Sequence, residues 1–192
     1  LYSYTVSQYA VAIGNQCAFT GQSSQAVAIG NRAAYTGQAM NAVAIGANSG
    51  SLNQQTGSIA IGNAAGYTLQ RAGSVAIGNS AGYTGQFTKG IAIGAIAGYT
   101  GQGTGAIAIG REAGSNLQGS GTVAIGYQTG YNSQSTKAVA IGYQSGYTIQ
   151  GTSAIAIGNM SGGTGQGIRS VCIGDSASPF NQATLAVSIG YQ

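Results

Sequence analysis

The residues that could carry covalent chemistry are few, and they do not form a catalytic set. Residues 78–82, Gly-Asn-Ser-Ala-Gly, match the G-x-S-x-G string of a hydrolase nucleophile elbow. A serine nucleophile needs a base, normally His, to take its proton, and the chain contains no His. The sequence therefore predicts that Ser80 belongs to a structural corner and that the protein is not an enzyme.

Metal and cofactor chemistry is not predicted either. The usual ligand types are limited to two isolated cysteines, Cys17 and Cys172, and two carboxylates, Glu112 and Asp175. Glycine-rich stretches are frequent, but the G-x-x-x-x-G-K-S/T string of a phosphate-binding loop is absent. We therefore expect no bound cofactor and no metal.

A repeat of 16 residues runs through all 192 positions, twelve times without an insertion or deletion. Numbering each repeat from its first residue, position 11 is Val or Ile, position 13 is Ile and position 14 is Gly in every copy. Position 6 is Gln in every copy except the first, where Val6 stands. Such a strict array predicts a single domain over residues 1–192 whose units stack on their neighbours.

The repeat is typical of a parallel β-solenoid. Sixteen residues are too few for a helical pair or a propeller blade but suit one coil. The Val-Ala-Ile segment alternates and is β-branched, which favours a strand, and the stretch around position 6 supplies a second short strand. We predict an all-β solenoid of twelve coils with two short strands per coil, stacked about 4.8 Å apart.

Alternation along the first strand places positions 11 and 13 on one face and position 12 on the other. Because large aliphatic side chains are usually buried, we predict that the Val/Ile ladder fills the interior. This core prediction comprises Val11, Ile13, Val27, Ile29, Ile59, Ile61, Ile107 and Ile109. The small residues of position 12 would then form a smooth outer contact surface for another subunit, comprising Ala12, Ala28, Ala44, Ala60, Ala76, Ala92, Ala108, Ala124, Ala140 and Ala156.

Two further columns should run along the rod. In-register amides can form hydrogen-bonded ladders, and stacked aromatics add to them. The predicted ladders include Gln70, Gln86, Gln102, Gln118, Tyr67, Tyr83 and Tyr99. The Gln column is expected to stabilise the rod, and the Tyr column to do the same or to serve as an adhesive strip or lateral contact.

Solenoid stacking separates the remaining reactive groups. Cys17 and Cys172 lie nine coils apart, about 43 Å, whereas a disulfide allows roughly 6 Å between Cα atoms. An internal disulfide is therefore excluded, and both thiols are expected to substitute for buried Ala. Glu112 and Asp175 lie four coils apart, roughly 19 Å, and cannot act as a catalytic pair.

The composition points to self-association. Gly accounts for 35 residues and charged residues for only 4 %, against about 25 % in average proteins. Such a surface is covered either by uncharged polar groups or by another copy of the chain. The net charge of +4 comes from scattered basic residues, so no nucleic-acid partner is predicted. No apolar run reaches the roughly 18 residues of a membrane span, so no membrane insertion is predicted.

The motif A-V-A-I-G-x-x-A/S resembles the head repeats of trimeric autotransporter adhesins. Residues 74–81, Ser-Val-Ala-Ile-Gly-Asn-Ser-Ala, are one instance, and the resemblance covers all twelve repeats. It implies a left-handed parallel β-roll, assembly as a trimer, and display at a cell surface. The usual repeat of that family is shorter, so one corner here must be larger. The stalk and membrane anchor of the family match no part of this chain.

Three functions remain open at this point. The first is an extracellular structural protein that self-assembles, head-to-tail or laterally, into a fibre or matrix such as that of a biofilm. Its alternative is an adhesin head that binds host or surface ligands. The third is an ice-binding or other ligand-array surface, which the broken Thr column beginning at Thr20 and Thr36 would suit. Because the chain starts at Leu1, we expect it to be a processed product or a piece of a longer polypeptide.

Overall fold

A computed structural model of the chain describes residues 7–192 and shows a parallel β-solenoid with coils of 16 residues. No helix occurs within these residues. The predicted fold class is confirmed: each of the coils from the second to the eleventh contributes one strand to each of two parallel sheets, and the last coil contributes to the first sheet only. The irregular start of the first repeat, including Val6, lies outside the described residues.

The first sheet contains the Val-Ala-Ile strands, and it has twelve members. They are β1 (Val11–Ile13), β3 (Val27–Ile29), β5 (Val43–Ile45), β7 (Ile59–Ile61), β9 (Val75–Ile77), β11 (Ile91–Ile93), β13 (Ile107–Ile109), β15 (Val123–Ile125), β17 (Val139–Tyr143), β19 (Ile155–Asn159), β21 (Val171–Ile173) and β22 (Val187–Ile189).

The second sheet contains the strands that end in the Gln of position 6, and it has ten members. They are β2 (Thr20–Gln22), β4 (Thr36–Gln38), β6 (Leu52–Gln54), β8 (Thr68–Gln70), β10 (Thr84–Gln86), β12 (Thr100–Gln102), β14 (Asn116–Gln118), β16 (Asn132–Gln134), β18 (Thr148–Gln150) and β20 (Thr164–Gln166).

Each strand pairs with the strand one repeat away. In the first sheet Val75 lies opposite Ile91 and Ala76 opposite Ala92, while in the second sheet Gln70 lies opposite Gln86. A one-residue insertion would put the coil that contains it out of register with its neighbours, and a one-residue slip moves side chains to the opposite face. The absence of insertions in the sequence is therefore a direct requirement of the pairing.

The corners are made by residues with positive φ, and many of them are not glycine. Position 9 adopts φ near 60° in Gln25, Asn41 and Lys89 as well as in the glycines that occur there. The Gly of position 14 is different, because its φ of about 130° is outside the range that residues with a Cβ tolerate. This explains why position 14 is always Gly while position 9 varies.

The predicted assignment of the two strand faces is wrong. Nine of the ten alanines assigned to the outer surface, from Ala28 to Ala156, are completely buried, and only Ala12 is exposed. The predicted core residues lie on the outside. Val27, Ile29, Ile59, Ile61 and Ile107 are half-buried, whereas Val11, Ile13 and Ile109 are exposed.

A narrow interior is the physical reason for this inversion. The two sheets are close enough for the Gln side chain of one sheet to reach the backbone of the other: Gln86 Nε2 donates to the carbonyl oxygen of Val75 at 2.7 Å. Only small residues fit beside this amide, and Ala76, Ala81 and Ala92 are packed there with no exposed surface. Ile side chains at position 12 would not fit, so the Val/Ile pair points outward instead.

Candidate functional site

The outer surface of the twelve-stranded sheet is a continuous array of Val and Ile side chains, which we call the aliphatic face. It consists of positions 11 and 13 of every coil. Parallel register places each of these side chains beside its equivalent in the next coil, as for Val75 and Ile91 or Ile77 and Ile93. Even in the middle of the rod these residues remain partly exposed, and Ile109 retains 36 % of its surface.

The aliphatic face is comparable in area to the largest apolar patch on a typical monomer. Twelve strands about 4.8 Å apart, each three residues long at about 3.3 Å per residue, cover on the order of 500 Å². The largest apolar patch on a typical monomer is about 300–600 Å² and often functional. The face is also uniform, because position 13 is Ile in every coil.

Charged residues surround the aliphatic face without entering it. Lys89, Lys137 and Arg169 occupy position 9, on the corner before the strand. Arg111 occupies position 15, just beyond it, where its Nε lies 3.1 Å from a carboxylate oxygen of Glu112. An apolar centre with a polar rim is the arrangement found in protein–protein interfaces.

The Gln residues of position 6 form a hydrogen-bonded ladder inside the rod. Gln70 Nε2 donates to Gln86 Oε1 at 3.3 Å, and Gln86 Nε2 donates to Gln102 Oε1 at 3.0 Å. The same Gln86 amide also donates to the carbonyl oxygens of Val75 and Gly90. Each amide therefore connects the two sheets and two successive coils.

The ladder has two interruptions within the described residues. The Oε1 atoms of Gln118 and Gln166 are buried and accept no hydrogen bond there. On the N-terminal side of each interruption, the preceding Gln amide still donates to backbone carbonyl oxygens, as Gln102 does to those of Ile91 and Ala106. The interruptions thus divide the ladder without breaking the link between the sheets.

The aromatic residues of position 3 form a second ladder, which we call the aromatic column. Ring centroids are 5.0 Å apart in the pairs Tyr67–Tyr83 and Tyr83–Tyr99, and 5.1 Å apart in Tyr131–Tyr147. The interplanar angles of these pairs lie between 5° and 13°, so the rings are stacked. The column is half-buried and runs along the corner that precedes the second sheet.

In the part of the chain that the structure describes, Arg side chains lie over aromatic rings at three places outside the core. The guanidinium carbons of Arg32, Arg71 and Arg111 lie 5.1, 4.6 and 5.7 Å from the ring centroids of Tyr35, Phe87 and Tyr127, respectively. These cation–π contacts hold half of the basic residues against the rod. They reduce the number of free charges on a surface that already has few.

The serine of the hydrolase-like string has no catalytic surroundings. Ser80 has φ of 53° at a corner, and its hydroxyl donates to Asn79 Oδ1 at 3.2 Å. Among the described residues no cluster of three His, Cys, Asp or Glu side chains is placed to hold a metal ion. Within the same range no helix is long and apolar enough to cross a membrane.

Both thiols are buried, and each stands where other coils have Ala. Cys17 Sγ donates to the carbonyl oxygen of Ala28 at 3.0 Å, and Cys172 Sγ donates to Gln182 Oε1 at 2.7 Å. Burial raises the pKa of both thiols, although hydrogen bonds oppose the shift. The nucleophilic thiolate is therefore scarce at neutral pH.

We expect neither thiol to react with a disulfide reagent at pH 8 while the protein is folded, because burial blocks access and the raised pKa suppresses the thiolate. Both should react rapidly in concentrated guanidinium chloride. Thiol titration with and without denaturant measures this difference, and the denatured sample is the control. Fast reaction of one thiol per native chain would contradict the burial of that residue.

The sequence contained a signal for the exposure of the aliphatic face, but the usual preference of Val and Ile for the interior outweighed it in the prediction. A long amide that recurs at position 6 beside Ala at position 12 indicates an interior spanned by Gln and too narrow for Ile.

Models of protein families, characterised proteins and solved structures were compared with the chain, and none matches it.

Proposed function

We propose that this protein is a non-enzymatic structural element that associates with further copies of itself through the aliphatic face. The observation that carries the proposal is this continuous apolar surface, uncharged along the length of the rod. In an extracellular fibre or matrix, such a rod would serve as the building unit. The strict repeat supports this role because every coil offers the same contact.

A second copy is the occupant that the surface favours. Two aliphatic faces packed about 10 Å apart, as sheets in a sandwich are, would bury on the order of 1,000 Å² in total. That area reaches the roughly 1,000 Å² expected of a specific interface. The two faces present ladders with the same axial spacing, so side chains of one rod can fit between those of the other at each coil.

The charge distribution supports the same partner. A second copy brings another uncharged centre, so association leaves no charge buried. The basic residues remain at the edges, where their repulsion is screened by salt. Association should therefore strengthen at high ionic strength, because salt weakens the repulsion and favours apolar burial.

The test replaces Ile45, Ile77 and Ile109 by Lys in one variant. These residues lie on alternate coils of the aliphatic face, so the new charges are about 10 Å apart. We expect the native protein to form dimers or larger assemblies and this variant to be monomeric, because association would desolvate three charges. Sedimentation velocity over a range of concentrations, together with electron microscopy, measures the difference.

The matched control replaces Thr36, Thr68 and Thr100 by Lys, which puts the same charges on the same three coils but on the second sheet. It should assemble as the native protein does. Circular dichroism of both variants verifies that the solenoid is intact. The proposal fails if the Ile variant assembles normally, or if the native protein stays monomeric at every concentration.

A second candidate function is favoured by the Thr residues of position 4. Thr68, Thr84 and Thr100 are consecutive, half-buried and in register on the outside of the second sheet. Such a column suits an ice or ligand-array surface, although Leu52 and Asn116 interrupt it. Thermal hysteresis in the native protein that is lost in the Thr variant would favour this function over the structural one.

The adhesin-head alternative rests on the resemblance of the repeats and predicts three-fold particles that bind a surface ligand. The same sedimentation and microscopy data distinguish it from a fibre. Discrete trimers would favour the adhesin head, and extended lateral arrays would favour the fibre.

A further inference from the structure

The aromatic column has a gap near its C-terminal end. Tyr131 and Tyr147 are stacked, but the next two coils carry Gly163 and Pro179 at the same position. Gly163 has no side chain, so one ring is missing between Tyr147 and Pro179. At the coil spacing of about 4.8 Å, these two side chains lie roughly 10 Å apart along the rod, with room for one ring between them.

A cavity of about 420 Å³ occupies this gap. Tyr147, Gly163 and Pro179 follow one another along it, coil by coil. One wall is made by the corner residues Gln144, Met160 and Ser176, and the opposite wall by Thr164 and Phe180. The volume lies within the roughly 300–1,000 Å³ typical of sites for small molecules.

The walls include large apolar side chains that are left uncovered. Met160 retains 45 % of its surface and Phe180 retains 73 %, so both are open to solvent beside the cavity. A thioether and a phenyl ring both make favourable contacts with the edge of an aromatic ring. The polar groups nearby are neutral: the amide of Gln144 and the hydroxyls of Thr164 and Ser176.

The other interruptions in the described part of the column are closed. Ser51 and Ser115 also replace an aromatic residue, but both are almost completely buried. The backbone of Gly163, in contrast, is half-exposed. The gap at Gly163 is therefore accessible in a way that the serine gaps are not.

We propose that this cavity, which we call the ring slot, binds a small neutral molecule that contains one planar aromatic ring. The ring takes the place of the missing side chain and stacks on Tyr147 at the roughly 5 Å centroid distance typical of offset aromatic pairs. Its other face meets Pro179, and its edges contact Met160 and Phe180. A hydroxyl group on the ring lies beside the polar groups of the wall, which are the amide of Gln144 and the hydroxyls of Thr164 and Ser176.

Electrostatics favours a neutral ligand. Ser176 donates to Asp175 Oδ1 at 3.1 Å, which places a carboxylate beside the slot and disfavours an anion. Among residues 7–192, no cationic side chain lines the slot. Burial, together with the nearby Tyr131, Glu112 and Tyr127, raises the pKa of the Tyr147 hydroxyl, so the stacking partner remains a neutral phenol.

The experiment titrates the full chain with p-cresol, the ring and hydroxyl of a tyrosine side chain, and follows the ligand by saturation-transfer NMR. We expect saturable binding to the native protein and at least about tenfold weaker binding to Gly163→Tyr, which fills the slot. An ideal Cβ at this glycine lies 3.1 Å from the carbonyl oxygen of Pro179, so a small backbone shift is needed. Circular dichroism therefore has to accompany the binding measurement.

Two further variants keep the test decisive if Gly163→Tyr does not fold. Tyr147→Ala should weaken binding about three- to tenfold, the range expected for one aromatic pair. Tyr99→Ala is its matched control, because Tyr99 is also the last ring before a gap, and it should leave binding unchanged. Phe180→Ala changes only an exposed side chain and should also weaken binding.

The proposal is overturned if Tyr147→Ala and Tyr99→Ala bind p-cresol equally well, or if binding to the native protein does not saturate. Methyl β-glucopyranoside forms the second arm of the titration, since a sugar ring can also stack on a tyrosine. Binding of the glucoside without binding of p-cresol would assign the slot to a carbohydrate and reject an aromatic ligand.

Discussion

Replacing Gln86 by glutamate is expected to lower the free energy of unfolding by about 3–5 kcal/mol at neutral pH, the cost of leaving a buried charge uncompensated. The amide nitrogen of Gln86 is surrounded by three oxygens, those of Val75, Gly90 and the Gln102 side chain, at 2.7, 3.0 and 3.0 Å. In the variant a carboxylate oxygen faces all three. Denaturant unfolding followed by circular dichroism measures the loss.

The pH dependence identifies the cause of this destabilisation. Burial and the facing oxygens should raise the pKa of the new carboxyl in the folded state above its value of about 4.3 in the unfolded chain. The unfolded state then loses its proton first as pH rises, so the variant is most stable below about pH 4.3. Its stability falls as pH rises through the raised folded-state pKa.

Gln25→Glu is the control, because Gln25 lies on an exposed corner and is not part of the interior ladder. It should change stability by less than about 0.5 kcal/mol, as surface substitutions usually do. Equal stability of the two variants at pH 7 would mean that the ladder is open to water. A loss for Gln86→Glu that did not vary with pH would point to packing instead of charge.

Much of the fold could be predicted from the sequence because the repeat constrains it so strongly. Twelve copies of one period leave few possibilities, and the β-branched Val75 and Ile77 around Ala76 favour a strand. Position 14 is always Gly, which indicates a backbone conformation closed to other residues. Period, strand positions and parallel stacking all follow from these observations.

The direction in which the strand faces could not be predicted in the same way. Alternation shows that Val75 and Ile77 share a face but does not say whether that face is inside. The interior width decides this, and corner residues set the width. Several of them, such as Ala64 and Ser80, adopt positive φ without being glycine. Nothing in their residue type signals so tight a turn, so the usual preference for buried Ile led to the wrong face.

The candidate surfaces could be predicted only in part, because the sequence does not give the width of the interior. Val and Ile at fixed positions predict an aliphatic array, but its exposure follows only from the width of the core. The sequence likewise shows Gly163 where other coils have Tyr. An open slot there also requires that the side chains of Met160 and Phe180 do not fill it, and their placement depends on the fold of three successive coils.

Gly78→Ala should strongly destabilise the first sheet, lowering the free energy of unfolding by roughly 2–6 kcal/mol. Gly78 has φ of 130°, and an ideal Cβ would lie 2.6 Å from the carbonyl oxygen of Gly94 in the next coil. That oxygen belongs to the backbone, so the coils must separate. Separation would strain the hydrogen bond from Gly94 N to the carbonyl oxygen of Ile77, now 2.8 Å.

Gly57→Ala supplies the matched control, since Gly57 also has positive φ, at 63°, but no atom lies within 4 Å of its ideal Cβ. Its cost should be about 1–2 kcal/mol, the ordinary penalty of a left-handed residue. Because Gln25 and Asn41 occupy the same position with the same φ, the fold accepts a Cβ there. Equal losses for the two alanine variants in denaturant unfolding would mean that neither the φ of 130° nor the contact with the next coil adds a cost at position 14. We expect the larger loss for Gly78→Ala, because its φ and the close approach of the Gly94 carbonyl oxygen both require glycine there.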